Sequence, residues 1–96
     1  MHARVSTYEG DVDAFARGFE QQADLVRRLD GFVRAYLLVD RDADRAIVVA
    51  LWESEEALAA SAERAAHLRE EASEAAGGAV GSVESYEVAL EVAAGG

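Results

Sequence analysis

"AIVVALWESEEAL", residues 46–58, decides the fold. Seven of its first eight residues are apolar. A strand here is therefore apolar on both faces, where a half-wet antiparallel strand would alternate apolar and polar residues. The pattern changes after Glu53. Ser54 can cap a helix, and Glu55 and Glu56 place negative charge in its first turn. The spacing predicts that this helix runs to about Ala76, with an apolar stripe of Leu58, Ala62, Ala65, Leu68, Ala72 and Ala76. Gly77-Gly78 would end it.

Upstream, Ala3 to Glu9 reads as a first strand. Asp11 and Asp13 then put negative charge at the start of an amphipathic helix whose apolar positions are Val12, Phe15, Phe19, Ala23 and Val26. Gly31 is its natural stop. Phe32 to Asp40 is a second strand, and the polar Asp40 to Arg45 stretch is short enough for a hairpin into a third strand, Ala46 to Glu53. After the second helix, Val83 to Val92 is the last strand. The order is βαββαβ, an α+β ferredoxin-like fold: a four-stranded antiparallel sheet with two helices on one face. Nothing divides residues 1–96, so one domain is expected.

Helices on one side leave the other sheet face uncovered, yet both faces are apolar. If Leu38 pairs with Ile47, then Phe32, Arg34, Tyr36, Leu38, Ile47, Val49 and Leu51 form one face. Val33, Ala35, Leu37, Val39, Val48 and Ala50 form the other. The smaller set is expected beneath the helices, because Phe15 and Phe19 pack best over small side chains. The bulkier set, with its arginine, is expected to meet a second copy. Six to eight side chains at about 1.5–3 kcal/mol each represent on the order of 10 kcal/mol of stabilisation. A homodimer through the sheet face is the economical solution.

Composition excludes several function classes. There is no cysteine, which removes disulfides, thiolate nucleophiles, iron–sulfur clusters and cysteine-ligated zinc. Lysine is absent, so no Schiff base forms through a side-chain amine. The net charge of −10 and the lack of a basic stripe argue against nucleic acid and against anionic membrane surfaces. No apolar run approaches a membrane span, and the N-terminus lacks the apolar core of a signal peptide, so a cytoplasmic protein is expected. Gly77-Gly78 end a helix and do not form a phosphate loop.

The stretch "DGFVRAYLLVDRDADRAIVVALWESEEALAA" resembles the antibiotic biosynthesis monooxygenase family of the dimeric α/β-barrel superfamily. Gly31-Phe32 opening strand two, Trp52 to Ala57 after strand three, and Tyr86 to Leu90 near the end carry the resemblance. It implies a ferredoxin-like protomer that pairs through its sheet into a dimeric α/β barrel. It also implies a cofactor-independent oxygenase acting on an aromatic phenol or quinol, or a haem-degrading oxygenase. The scarcity of usable acid–base groups points to the alternative, a non-catalytic binding or accessory protein for a hydrophobic metabolite. In the haem-degrading branch a strand-one asparagine and a helix-two tryptophan assist a helix-two histidine that ligates iron. Here Ser6 stands at the asparagine position and Ala60 at the tryptophan position. His67 nears the ligand position only with a gap. Two of three features are missing, so haem degradation is disfavoured and no cofactor is expected.

The candidate substrate-binding residues are Phe15, Phe19, Tyr8, Arg34, Tyr36 and Trp52, lining an apolar pocket for an aromatic or hydrophobic ligand. Each also has a structural explanation: the rings as core, Trp52 as packing with its indole N–H bonded, and Arg34 as a cross-strand or inter-subunit ion pair. His67 is the candidate catalytic base. Nine residues on from Leu58, about 180° around an ideal helix, it faces solvent and would serve only if turned inward. No histidine–carboxylate spacing suggests a metal site.

Overall fold

The computed structural model describes residues 1–95. Its elements are β1 (His2–Glu9), α1 (Val12–Val26), β2 (Phe32–Asp40), β3 (Arg45–Trp52), α2 (Glu55–Ala60), α3 (Ala62–Ala75) and β4 (Ala79–Glu87). The strands form one antiparallel sheet in the order β2-β3-β1-β4, the expected ferredoxin-like arrangement.

Local chemistry sets the boundaries. Asp11 caps α1 by accepting from the backbone N–H groups of Asp13 and Ala14 at 3.0 and 3.2 Å. Ser54 caps α2 by accepting from Ala57 N at 3.1 Å. Gly31 has a φ of +78°, and a Cβ there would run into Ala57, so the entry to β2 requires glycine on two grounds. In the hairpin, Asp40 Oδ1 accepts from Ala43 N at 3.1 Å, and Asp44 takes a left-handed φ of 52°.

The predicted second helix is broken. Ser61 separates α2 from α3 because its own hydroxyl and the Arg4 guanidinium both donate to the Leu58 carbonyl, each at 2.8 Å. Side-chain donors thus occupy an oxygen that a continuous helix gives to the N–H of residue 62. The break also moves the buried stripe: Ser61 is buried and Ala62 exposed, with Leu68 and Ala72 following in the core.

The last strand lies earlier than the predicted 83–92. It runs antiparallel to β1, from Ala79 opposite Glu9 to Glu87 opposite His2. Val88 N donates to Met1 O at 2.9 Å, just past the last strand pair. Leu90 and Val92, beyond the strand, stand exposed.

The hairpin register is the expected one, with Leu38 opposite Ile47, Tyr36 opposite Val49 and Arg34 opposite Leu51. Ala46 is buried in the core with Tyr8, Val12, Phe15 and Ala72, and Leu37 and Val48 pack against that cluster. Tyr36 and Leu38, on the opposite face, are each 51% exposed. Phe32 corrects the face assignment. The register shifts between Phe32 and Arg34, leaving Val33 as an extra residue. Phe32 therefore joins the side of Trp52, with ring centroids 5.4 Å apart.

Candidate functional site

A cavity of about 420 Å³ lies between α1, α3 and the sheet. Alternation along β1 sends Arg4, Ser6 and Tyr8 to the helix side, opposite Ala50, Val48 and Ala46 of β3. The small β3 residues leave the space that these longer polar ones enter. Phe19, Ala23 and Val26 contribute the apolar wall from α1, and Leu68 and Arg69 contribute from α3. Gln22 ties the two helices by donating to Leu68 O at 2.9 Å.

Arg4 is the buried charge of this site, 5% exposed. Nη1 donates to Ser61 Oγ at 3.2 Å and Nη2 to Leu58 O at 2.8 Å. Its guanidinium carbon lies 5.8 Å from the centroid of the Trp52 ring, within cation–π range. Among the described residues it makes no ion pair. Burial holds its pKa below the usual arginine value, and the charge of Arg69 lowers it further. Tyr8 packs its ring against Phe15 and Phe19, with centroids at 5.1 and 5.4 Å. Burial pushes its phenol pKa up, opposed by the Ser6 hydroxyl and the two arginines. At neutral pH this site therefore presents a neutral phenol beside two cations.

Of the residues expected to bind substrate, Tyr8, Phe19 and Trp52 line the cavity, and Tyr36 borders it from β2 while standing half exposed on the opposite sheet face. Phe15 is fully buried in the core and is not part of the lining. Arg34 is exposed on the strand edge and also lies outside it. The Trp52 indole N–H, expected to be bonded, is buried without a partner. His67 does not turn inward. Its side chain is 67% exposed and its Nε2 sits 3.1 Å from Glu71 Oε1. It borders a separate depression with Ala60 and Leu29. Arg4, Ser6 and Arg69 were not anticipated. The parity of Arg4, Ser6 and Tyr8 was the available signal, but polar residues on one strand face ordinarily mark the wet side.

The sequence model described as antibiotic biosynthesis monooxygenase matches residues 1–72. An uncharacterized protein of Mycobacterium tuberculosis (strain H37Rv) is 35% identical over 94 residues, which is 94% of this chain and 39% of that protein. A second from the same strain is 32% identical over 93 residues, 93% of this chain and 41% of that protein. The chain thus spans about two fifths of the length of the curated relatives it matches. Among solved structures, the haem degrader MhuD of M. tuberculosis, with two haems in its active site, is 30% identical with a TM-score of 0.70, over 97% of this chain and all of that one. A mutant of SnoaB, a cofactor-independent oxygenase from Streptomyces nogalater, superposes with a TM-score of 0.77 at 17% identity, over 95% of each chain. A Streptomyces coelicolor monooxygenase from ActVA-Orf6, bound to nanaomycin D, gives 0.72 at 21% identity, over 98% of this chain and 92% of that one. The likeness to these last two is one of fold.

The residues present do not fit a histidine-ligated haem in this cavity. No histidine is in its lining. Ala60 borders the other depression together with His67.

Proposed function

The chain belongs to the antibiotic biosynthesis monooxygenase family, and from that premise we propose that it binds an aromatic phenol or quinol in the cavity beneath α1 and oxygenates it without a cofactor. The carrying observation is an apolar cavity of about 420 Å³ into which Arg4 and Arg69 bring positive charge. A phenol placed there loses its proton more readily, because nearby cations favour the anion. An electron-rich phenolate can pass one electron to dioxygen. Recombination forms a carbon–oxygen bond, and cleavage of the O–O bond releases water and leaves a quinone. The chain's part is to bind, orient and exclude water.

The functional unit we propose is a homodimer paired through the open sheet face. Tyr36, Leu38, Ile47 and Tyr86 are exposed there, which is a costly arrangement for a lone protomer.

The test is oxygen uptake across a panel of polycyclic phenols and quinols, with quinone followed by absorbance. Uptake matched by quinone formation is expected. A second reading, a non-catalytic carrier of the same ligands, is favoured by one observation: the cavity lining has no histidine, and its one carboxylate, Glu20, is exposed. Quenching of Trp52 without oxygen uptake would support the carrier. Neither response would overturn both readings.

A further inference from the structure

Two guanidinium groups share this cavity, and neither has a counter-ion. Arg69 and Arg4 both line it, and among the described residues neither forms an ion pair. Arg27, also in the lining, differs because Asp24 accompanies it at 3.3 Å. The acidic residue in the lining, Glu20, is exposed and pairs with none of the three. In a chain with 19 acidic residues and a net charge of −10, these two arginines meet at one apolar cavity with no carboxylate paired to either.

A buried charge without a partner is disfavoured by desolvation, and a second like charge nearby adds repulsion. Arg4 feels both. Its structural hydrogen bonds use one N–H from each of two nitrogens. A guanidinium carries five N–H donors, so these bonds leave donor capacity. Planar guanidinium groups are matched to anionic oxygens.

Resting on the reading of this cavity as the ligand site, we propose that its ligand is an aromatic anion whose charged oxygen, a carboxylate or an ionised phenol, is held by Arg4 and Arg69. The rings then lie along Phe19, Val26 and Trp52, and the anionic oxygen supplies the missing counter-charge. Neutral hydrophobic metabolites of the same shape fill the space but leave the two cations unpaired. The site therefore selects by charge as well as by size.

The experiment compares naphthalene-2-carboxylate, naphthalene-2-carboxamide and 2-naphthol, with affinity read by calorimetry and by quenching of the single tryptophan. The expected result is that the carboxylate binds about tenfold or more tighter than the amide, a ratio typical of a charge-assisted pair. It should also raise the unfolding temperature more at equal concentration. An absorption shift to the naphtholate form on binding identifies the phenol as an equally good source of the anion. Arg69→Gln is expected to abolish the preference by bringing carboxylate affinity down to that of the amide, with Arg69→Lys partly restoring it. Arg69 is chosen because it makes no structural hydrogen bond comparable to those of Arg4, and circular dichroism checks that the variant folds. If amide and carboxylate bind equally, or the preference survives Arg69→Gln, the anion site is refuted and the cavity remains a ligand site. If none of the three binds, the reading of the cavity falls with it.

Discussion

Arg4 and Ser61, 57 positions apart, meet at the break between α2 and α3, with Arg4 Nη1 donating to Ser61 Oγ at 3.2 Å. The same guanidinium holds the Leu58 carbonyl at 2.8 Å, so one strand residue ties the junction between α2 and α3 to the sheet. Arg4→Ala removes two buried hydrogen bonds, one of them to a carbonyl at the junction. Destabilisation of about 1.5–3 kcal/mol is expected in urea denaturation, and about 1 kcal/mol for Ser61→Ala. An Arg4→Ala variant as stable as the parent would show that the junction holds without it.

Leu38 lies opposite Ile47 on the open sheet face, half exposed. Leu38→Asp would bury an unpaired carboxylate if that face meets a second copy. The parent is expected to sediment as a dimer at micromolar concentration and the variant as a monomer, or unfolded. A parent protein of monomeric mass in light scattering would remove the reason for the pairing.

Haem added to the protein is expected to give no stoichiometric Soret shift, since His67 points away from the cavity and pairs with Glu71. His67→Ala should leave the haem titration unchanged. A shift lost in that variant would place iron on the outer face of α3.

Burial raises the Tyr8 pKa above its ordinary value of 10.0. The folded state thus holds the phenolic proton more tightly than the unfolded chain does. The associated stability is fully present below about pH 10, the unfolded value, and is lost as pH rises through the folded one. Chemical denaturation from pH 8 upward should show the parent losing stability on this limb more steeply than Tyr8→Phe. Identical alkaline limbs would mean that Tyr8 ionises as easily in the fold as outside it.

The pattern in residues 46–58 was enough to place β3, the cap at Ser54 and the change to a helix, because those features depend on near neighbours. The alternation of Tyr36 and Leu38 against Ala35 and Leu37 likewise identified the open face once the Leu38–Ile47 register was chosen. Three features were not legible in this way. The break at Ser61 requires a donor from β1. The bulge at Val33 moves Phe32 to the opposite face. The last strand runs from Ala79 to Glu87 because its pairing is with β1, from Glu9 to His2.

The site divides along the same line. Rings at Tyr8, Phe19 and Trp52 were expected near a ligand because apolar residues at regular spacing point to one side of a helix or strand. Periodicity determines that side from the chain alone, and with it the helices, the strands and their order. Whether Arg4 faces water or the core was decided only by tertiary structure. A charged residue in a strand is ordinarily placed outward by its hydration. It was drawn inward here because the broken helix offers its guanidinium a carbonyl and a hydroxyl, and the small Ala46, Val48 and Ala50 leave room beneath. Both partners come from segments more than 50 residues away, so no reading of neighbours along the chain could supply them.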